Sequence, residues 1–149
     1  MVINFGTLKL FSGKTYKFRV SNVGLSTSFN FRIQGHDLKL IEVEGAHTMM
    51  DSYSSIDVHV GQSFTVLVTL KGPISDYAII ASTRFTGPIV LTTTATLRYA
   101  GSNTKAPIPL PQGPPTNDVQ WSMQQARTIR YYFFIYFTKF ISSKINKKS

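Results

Sequence analysis

Residues 56–70 read Ile-Asp-Val-His-Val-Gly-Gln-Ser-Phe-Thr-Val-Leu-Val-Thr-Leu. Ile56, Val58 and Val60 alternate with Asp57 and His59. After Gly61-Gln62, the residues Phe64, Val66, Val68 and Leu70 alternate with Thr65 and Thr69, and only Leu67 interrupts the polar side. Alternation with period two gives a strand one apolar and one polar face, and a glycine between two such runs suits a tight connection at positive φ. This stretch therefore reads as two consecutive strands.

The same pattern extends in both directions. Tyr16, Phe18 and Val20 alternate with Lys17 and Arg19; Phe29, Phe31 and Ile33 alternate with Asn30 and Arg32. Leu38 and Leu40 flank Lys39, and Val43 lies between Glu42 and Glu44. Tyr77, Ile79 and Ala81 follow, then Ala95, Leu97 and Tyr99. Turn signals separate the runs at Ser12-Gly13-Lys14, Lys71-Gly72-Pro73 and Thr86-Gly87-Pro88. Seven or eight short strands, roughly 8–12 residues apart, predict an all-β sandwich or barrel, and no helix of normal length is expected between residues 15 and 99. Each strand is expected to turn one face to a core and the other to water.

The domain is expected to span residues 1–100. Residues 101–130 form a Pro-rich linker, with Ala-Pro-Ile-Pro-Leu-Pro-Gln-Gly-Pro-Pro at 106–115 reading as a stiff extended spacer. Residues 131–149 form a basic and aromatic tail of aberrant composition, in which fifteen of nineteen residues are Phe, Tyr, Ile, Lys or Asn. Three readings of it are open. Its apolar run from Tyr131 to Ile141 contains Lys139 and is short of the ~20 residues of a membrane span. It has the make-up of an interfacial anchor. Its residue types are also those of A/T-rich codons, as in a retained intron or a frame error. The composition favours the third reading, and an irregular or disordered tail is expected.

Charge follows the same division. The formal net charge is +9, but Arg127, Arg130, Lys139, Lys144, Lys147 and Lys148 supply six of it without an acid. Residues 1–126 carry ten Lys and Arg against seven Asp and Glu, which leaves +3 and no broad phosphate-binding field. The interleaving at Tyr16-Lys17-Phe18-Arg19 and Phe29-Asn30-Phe31-Arg32 is read as half-buried strands rather than a base-stacking platform. Neither nucleic acid nor a membrane is an expected partner.

Catalytic chemistry finds little footing. There is no cysteine, which removes disulfides, thiolate nucleophiles and thiolate metal sites. His36, His47 and His59 form no His-x-His or His-x-x-x-His pair, and metal sites need three or four converging ligands. Asp37, Glu42 and Glu44 make a small acidic cluster in which Glu42 and Glu44 share a strand face; a solvated face is expected rather than a glycosidase pair. There is no Gly-x-Ser-x-Gly elbow, no phosphate loop and no Gly-x-Gly-x-x-Gly. No catalytic, cofactor-binding or metal-binding residue is assigned. No secretion signal and no Asn-x-Ser/Thr sequon are visible.

Several runs taken together resemble a known family: residues 13–24 (Gly-Lys-Thr-Tyr-Lys-Phe-Arg-Val-Ser-Asn-Val-Gly), 29–36 (Phe-Asn-Phe-Arg-Ile-Gln-Gly-His), 43–48 (Val-Glu-Gly-Ala-His-Thr), 58–69, Ser82-Thr83-Arg84-Phe85, and Trp121 to Arg130. In order and spacing they are similar to the second, plastocyanin-like domain of plant multicopper oxidases. The likeness is nearest to the ascorbate-oxidase-like subgroup of pollen-specific and root-skewing cell-wall proteins. The resemblance implies a cupredoxin-like Greek-key β-sandwich. It implies copper in the parent family, held by His-x-His pairs and a His-Cys-His run in the first and third domains, with none in this chain. It further implies neighbouring cupredoxin domains as partners, a subgroup that has lost several copper ligands, a parent that is extracellular, at the cell wall or the outer face of the plasma membrane, and a role in directional growth. On this resemblance the chain is expected to be a fragment: a non-catalytic structural domain, or part of a copper-dependent oxidoreductase of the ascorbate oxidase or laccase type that works only with the missing domains.

Overall fold

A computed structural model describes residues 2–106 and 108–130. The tail at 131–149 lies outside the described residues, and so does its expected irregularity. The elements are β1 (Val2–Leu10), β2 (Thr15–Ser21), β3 (Ser28–Ile33), β4 (Leu38–Val43), β5 (Ala46–His47), β6 (Ser52–Tyr53), β7 (Ile56–Val58), β8 (Ser63–Thr69), β9 (Asp76–Arg84), β10 (Thr92–Tyr99) and the helix α1 (Val119–Thr128). They form two sheets. The first has the order β1-β10-β9-β3-β7; the second has the order β2-β8-β4-β5, with β6 also on β4.

The alternation read from the sequence sets which residues meet. Phe31 pairs with Ala81 and Ile33 with Ile79 across β3 and β9, while Leu97 pairs with Tyr77 across β9 and β10. In the second sheet Tyr16, Phe18 and Val20 pair with Val68, Val66 and Phe64. These inward sets join Leu38, Leu40, Val43, Ile56, Val58, Leu70 and Tyr99 in one core. Burying such a side chain contributes about 1.5–3 kcal/mol, so the ladder and the core are specified together.

Two features lie beyond the sequence reading. β1 was not expected; its alternation is broken by Gly6, where the register with β10 shifts between Asn4 and Thr7. It is parallel to β10, so the first and last strands of the sandwich lie side by side. The second feature is the turn after β4. Glu44 and Gly45 both have positive φ, 50° and 80°, which makes a tight two-residue hairpin into β5. Glu44 therefore leaves the strand, and it does not share a strand face with Glu42.

The outer face of the first sheet departs most from expectation. Asn30, Arg32, Asp57, Ser82 and Arg84 point away from the core, yet all are buried. The chain after β10 covers them. Rather than projecting as a free spacer, residues 108–118 cross the sheet as a strap, and α1 continues it to Ile129, which packs on the core. Arg130 O then accepts a hydrogen bond from Met49 N at 2.9 Å, which ties the strap to the edge of the second sheet.

Candidate functional site

The strap is held by a polar cluster that β3, β7 and β9 assemble in register. Asn30 pairs with Asp57 on one side and with Ser82 on the other, and Ser28 pairs with Arg84. Arg84 Nε donates to Asp57 Oδ2 at 2.9 Å, with both side chains almost fully buried. The same guanidinium donates through Nη1 to Pro115 O and through Nη2 to Asp118 O at 2.9 Å. Its central carbon lies 4.8 Å from the Phe85 ring centroid and 5.5 Å from that of Trp121, within cation–π range. One charge thus joins the sheet to the strap.

Arg32 makes a second joint. Its Nε donates to Pro111 O at 2.8 Å, Nη1 to Asn30 Oδ1 at 3.2 Å and Nη2 to Ser82 Oγ at 3.1 Å. Burial lowers its pKa below that of a free guanidinium. Gly113 permits the close approach, since a Cβ there would stand 2.8 Å from Arg32 Nη1. Asn30 Nδ2 donates to Asp57 Oδ1 at 2.9 Å and to Ser55 Oγ at 3.1 Å. On the helix, Gln125 accepts from Asp57 N at 2.8 Å and donates to Ser55 O at 2.7 Å. Asp118 caps α1 by accepting from Trp121 N at 2.9 Å. Among the described residues no buried side-chain N or O atom is left without a partner.

A cleft of about 430 Å³ opens beside this cluster, lined among others by Arg32, His36, Asp37, Ser55, Gln112 and Trp121. Its buried side chains Arg32, His36 and Ser55 are already committed. The donors of Arg32 go to the strap and sheet, and both nitrogens of His36 are engaged. His36 Nδ1 bonds Gln34 O at 2.7 Å, and Nε2 bonds the Tyr99 hydroxyl at 2.6 Å. Burial, together with the neighbouring Tyr77, pushes the Tyr99 phenol up to about 12, so it stays a neutral donor.

The other residues singled out in the sequence lie apart in the fold. His59 Nδ1 faces Ser28 Oγ at 3.0 Å and its ring stacks on Phe85. Its Nε2 faces Ser122 Oγ at 3.5 Å instead of a carboxylate, so the serine–histidine contact has no acid to orient it as a triad requires. His47 is exposed, 3.8 Å from Glu42. Glu42 is held below the usual carboxylate range by the Thr65 hydroxyl, with Lys17, His47 and Arg19 adding to it. Glu44 accepts from Ser63 N at 2.6 Å. Asp37 stands exposed at the rim of the cleft. Among the described residues no group of three or more His, Asp or Glu gathers as a metal site.

The donor set does not fit copper. The imidazoles of His36 and His59 are spent on hydrogen bonds, and His47 stands with a single carboxylate. The cluster the sequence reading missed, Asn30-Arg32-Asp57-Arg84, fastens the strap to the sheet. Its signal was present: charged and amide residues stand on the supposedly wet positions of adjacent strands, and a proline-rich run follows.

The multicopper oxidase family model matches residues 2–102. The chain is 48% identical over 134 residues to monocopper oxidase-like protein SKU5 of Arabidopsis thaliana, covering 87% of this chain and 23% of that protein. It is 48% identical over 119 residues to an L-ascorbate oxidase homolog of Brassica napus, covering 80% of this chain and 21% of that protein. The chain thus spans less than a quarter of the length of these relatives. Among solved structures, the laccase from Botrytis aclada superposes with a TM-score of 0.64 at 24% identity, over 74% of this chain and 21% of that one. Fet3p, a multicopper oxidase that functions in iron import, gives 0.60 at 21% identity, over 85% and 24%. The two sheets are a cupredoxin-type sandwich.

Proposed function

Given that this chain belongs to the multicopper oxidase family, within its plant SKU5 and ascorbate-oxidase-like branch, we propose that it is a non-catalytic structural domain, the second of the parent, with no copper site of its own. Residues 1–100 are the plastocyanin-like domain in this reading, residues 101–130 its linker into a further domain, and 131–149 an aberrant tail. Copper chemistry resides in the other domains of the parent, which stands outside the cell at the wall or the outer membrane face. Among the described residues no helix is long and apolar enough to cross a membrane.

The observation that carries the reading is the contrast between a fully committed polar interior and an uncommitted apolar end. Val23 and Leu25 in the loop before β3 are 92% and 99% exposed. Ile89, Val90 and Leu91 in the loop before β10 are exposed as well, and the hydrogen bond from Thr83 N to Leu91 O sets the end of that loop along β9, the neighbour of β3. An apolar recess of about 390 Å³, lined in part by Thr27, Phe29, Ala81, Thr83 and Leu91, opens between the loops. A patch of this kind marks a surface meant to be covered, and neighbouring cupredoxin domains are the covering this reading supplies.

The same patch favours a second reading, in which the chain is part of a copper-dependent oxidoreductase that works only with copper-bearing domains. One experiment separates them from a copper site in this chain: metal content by mass spectrometry after copper exposure and dialysis, with a visible spectrum and an oxidase assay. The expected result is no retained copper and no turnover. Stoichiometric copper would overturn the structural reading. Turnover appearing only on co-purification with copper-bearing domains would select the second.

A further inference from the structure

The outer face of the second sheet carries a different signal. Across three strands the register aligns Lys17 of β2, Leu67 of β8 and Lys39 of β4. The next row aligns Arg19, Thr65, Glu42 and His47. Lys71 lies just past the end of β8. Lys17, Arg19, Lys39 and Lys71 are all exposed, and among the described residues none of the four joins an ion pair. The arginines of the first sheet are otherwise engaged: Arg84 and Arg98 in ion pairs, Arg32 in hydrogen bonds. The acids on the second sheet are both occupied. Glu42 sits against Thr65 and His47, with Lys17 and Arg19 near enough to favour its charged form but not in ion-pair contact, and Glu44 caps Ser63 N.

Among the described residues, the strands of this face carry several hydroxyls and no exposed aromatic. Thr15 and Thr69 bond each other through their hydroxyls at 2.9 Å, and Ser21 bonds Ser63 at 2.8 Å. Tyr16 and Phe18 turn inward against the core, so no platform exists for stacking bases. Half-buried Leu67 is the apolar residue in the middle of the face, which gives no wedge for a bilayer. Sheet geometry sets the charges at about 9–10 Å across the strands and about 7 Å along β2. A linear polymer with repeated single charges and many hydroxyls matches that grid.

We propose that this face binds an acidic polysaccharide, a chain of carboxylate-bearing sugars, through Lys17, Arg19, Lys39 and Lys71. The proposal is independent of whether the chain holds copper. The test is retention of the whole chain on immobilised polygalacturonate in a salt gradient, beside neutral dextran, single-stranded DNA and anionic lipid vesicles. Retention on polygalacturonate alone, falling with salt, is expected. Lys17→Glu with Lys39→Glu should weaken it about tenfold or more, since reversing two charges beside a bound carboxylate costs over ~1.4 kcal/mol. Replacing the tail lysines by Lys144→Ser, Lys147→Ser and Lys148→Ser should leave it within about twofold on the same scale. The sheet variant keeps the wild-type circular dichroism and urea midpoint, because the substituted Lys17 and Lys39 side chains are exposed. Unchanged retention in the sheet variant, loss in the tail variant, or equal retention on DNA or vesicles would each overturn the proposal.

Discussion

Replacing Arg84 by methionine tests the lock most directly. The side chain makes an ion pair with Asp57, two hydrogen bonds to the strap carbonyls of Pro115 and Asp118, and contacts with Phe85 and Trp121. Methionine keeps much of the volume and removes every polar contact. Asp57 then stays buried without its cationic partner, with Asn30 Nδ2 as the remaining side-chain donor. Removing one partner of such a pair costs about 3–5 kcal/mol. A domain of this size has about 5–15 kcal/mol in all, so the single variant stands close to unfolding. Asp57→Leu combined with Arg84→Met removes both charges and should recover at least about 2 kcal/mol, because no uncompensated charge remains. The strap, however, loses its anchor in both variants. Trp121 is the only tryptophan and rides on the strap helix. Urea unfolding followed by far-ultraviolet dichroism reports the sandwich, while tryptophan quenching reports the strap. The double variant should unfold near the wild-type midpoint yet show a more accessible Trp121. A single-variant loss below about 1 kcal/mol, or a double variant as unstable as the sum of its singles, would refute the argument.

Three further outcomes follow from the same geometry. Tyr99→Phe deprives buried His36 Nε2 of its partner and should cost about 1–3 kcal/mol in urea unfolding; because the fold holds the Tyr99 phenol at about 12, its stabilisation is complete below the ordinary 10.0 and fades as pH rises through about 12, so an absorbance titration should show one late tyrosinate that the variant lacks. Asp76, buried and held below the usual range by hydrogen bonds from Arg98, stabilises the fold above its ordinary pKa and loses that contribution as pH falls through its lowered value; Asp76→Asn should therefore flatten the acid side of a melting-temperature profile against pH. Gly113→Ala presses a methyl group against Arg32, itself pinned by three hydrogen bonds, and should destabilise by about 1–3 kcal/mol, with the change concentrated in Trp121 quenching.

Period-two alternation made the core legible. It assigned Phe31, Val66 and Leu97 to the inside, and they pack there because every second side chain of a strand must share a face. The same logic misread Asn30, Arg32 and Asp57 as wet. Alternation states which way a side chain points and says nothing of what later covers it. The cover here comes from far along the chain: Arg32 meets Pro111, 79 residues on. The helix was missed for a related reason. In the structure Asp118 caps it, but its role depends on docking, which no local pattern encodes. For the candidate site, the absence of a local histidine pair was readable, whereas the partners of His36 and His59 come from strands distant in sequence. The Glu42 and Glu44 reading failed on one turn, where Gly45 allows the left-handed hairpin that takes Glu44 off the strand.

The parallel pairing of β1 with β10 has a mechanical consequence. Tension that drew the start of β1 and the end of β10 in opposite directions would slide the two strands past each other rather than peel them apart. Seven registered residue pairs, from Val2 with Thr92 to Leu10 with Tyr99, would then share the load at once. An antiparallel closure pulled at its open end would surrender its bonds one after another. Under such a load the sandwich would resist stretching, and the strap beyond β10 adds a second joint that must part before the chain can lengthen.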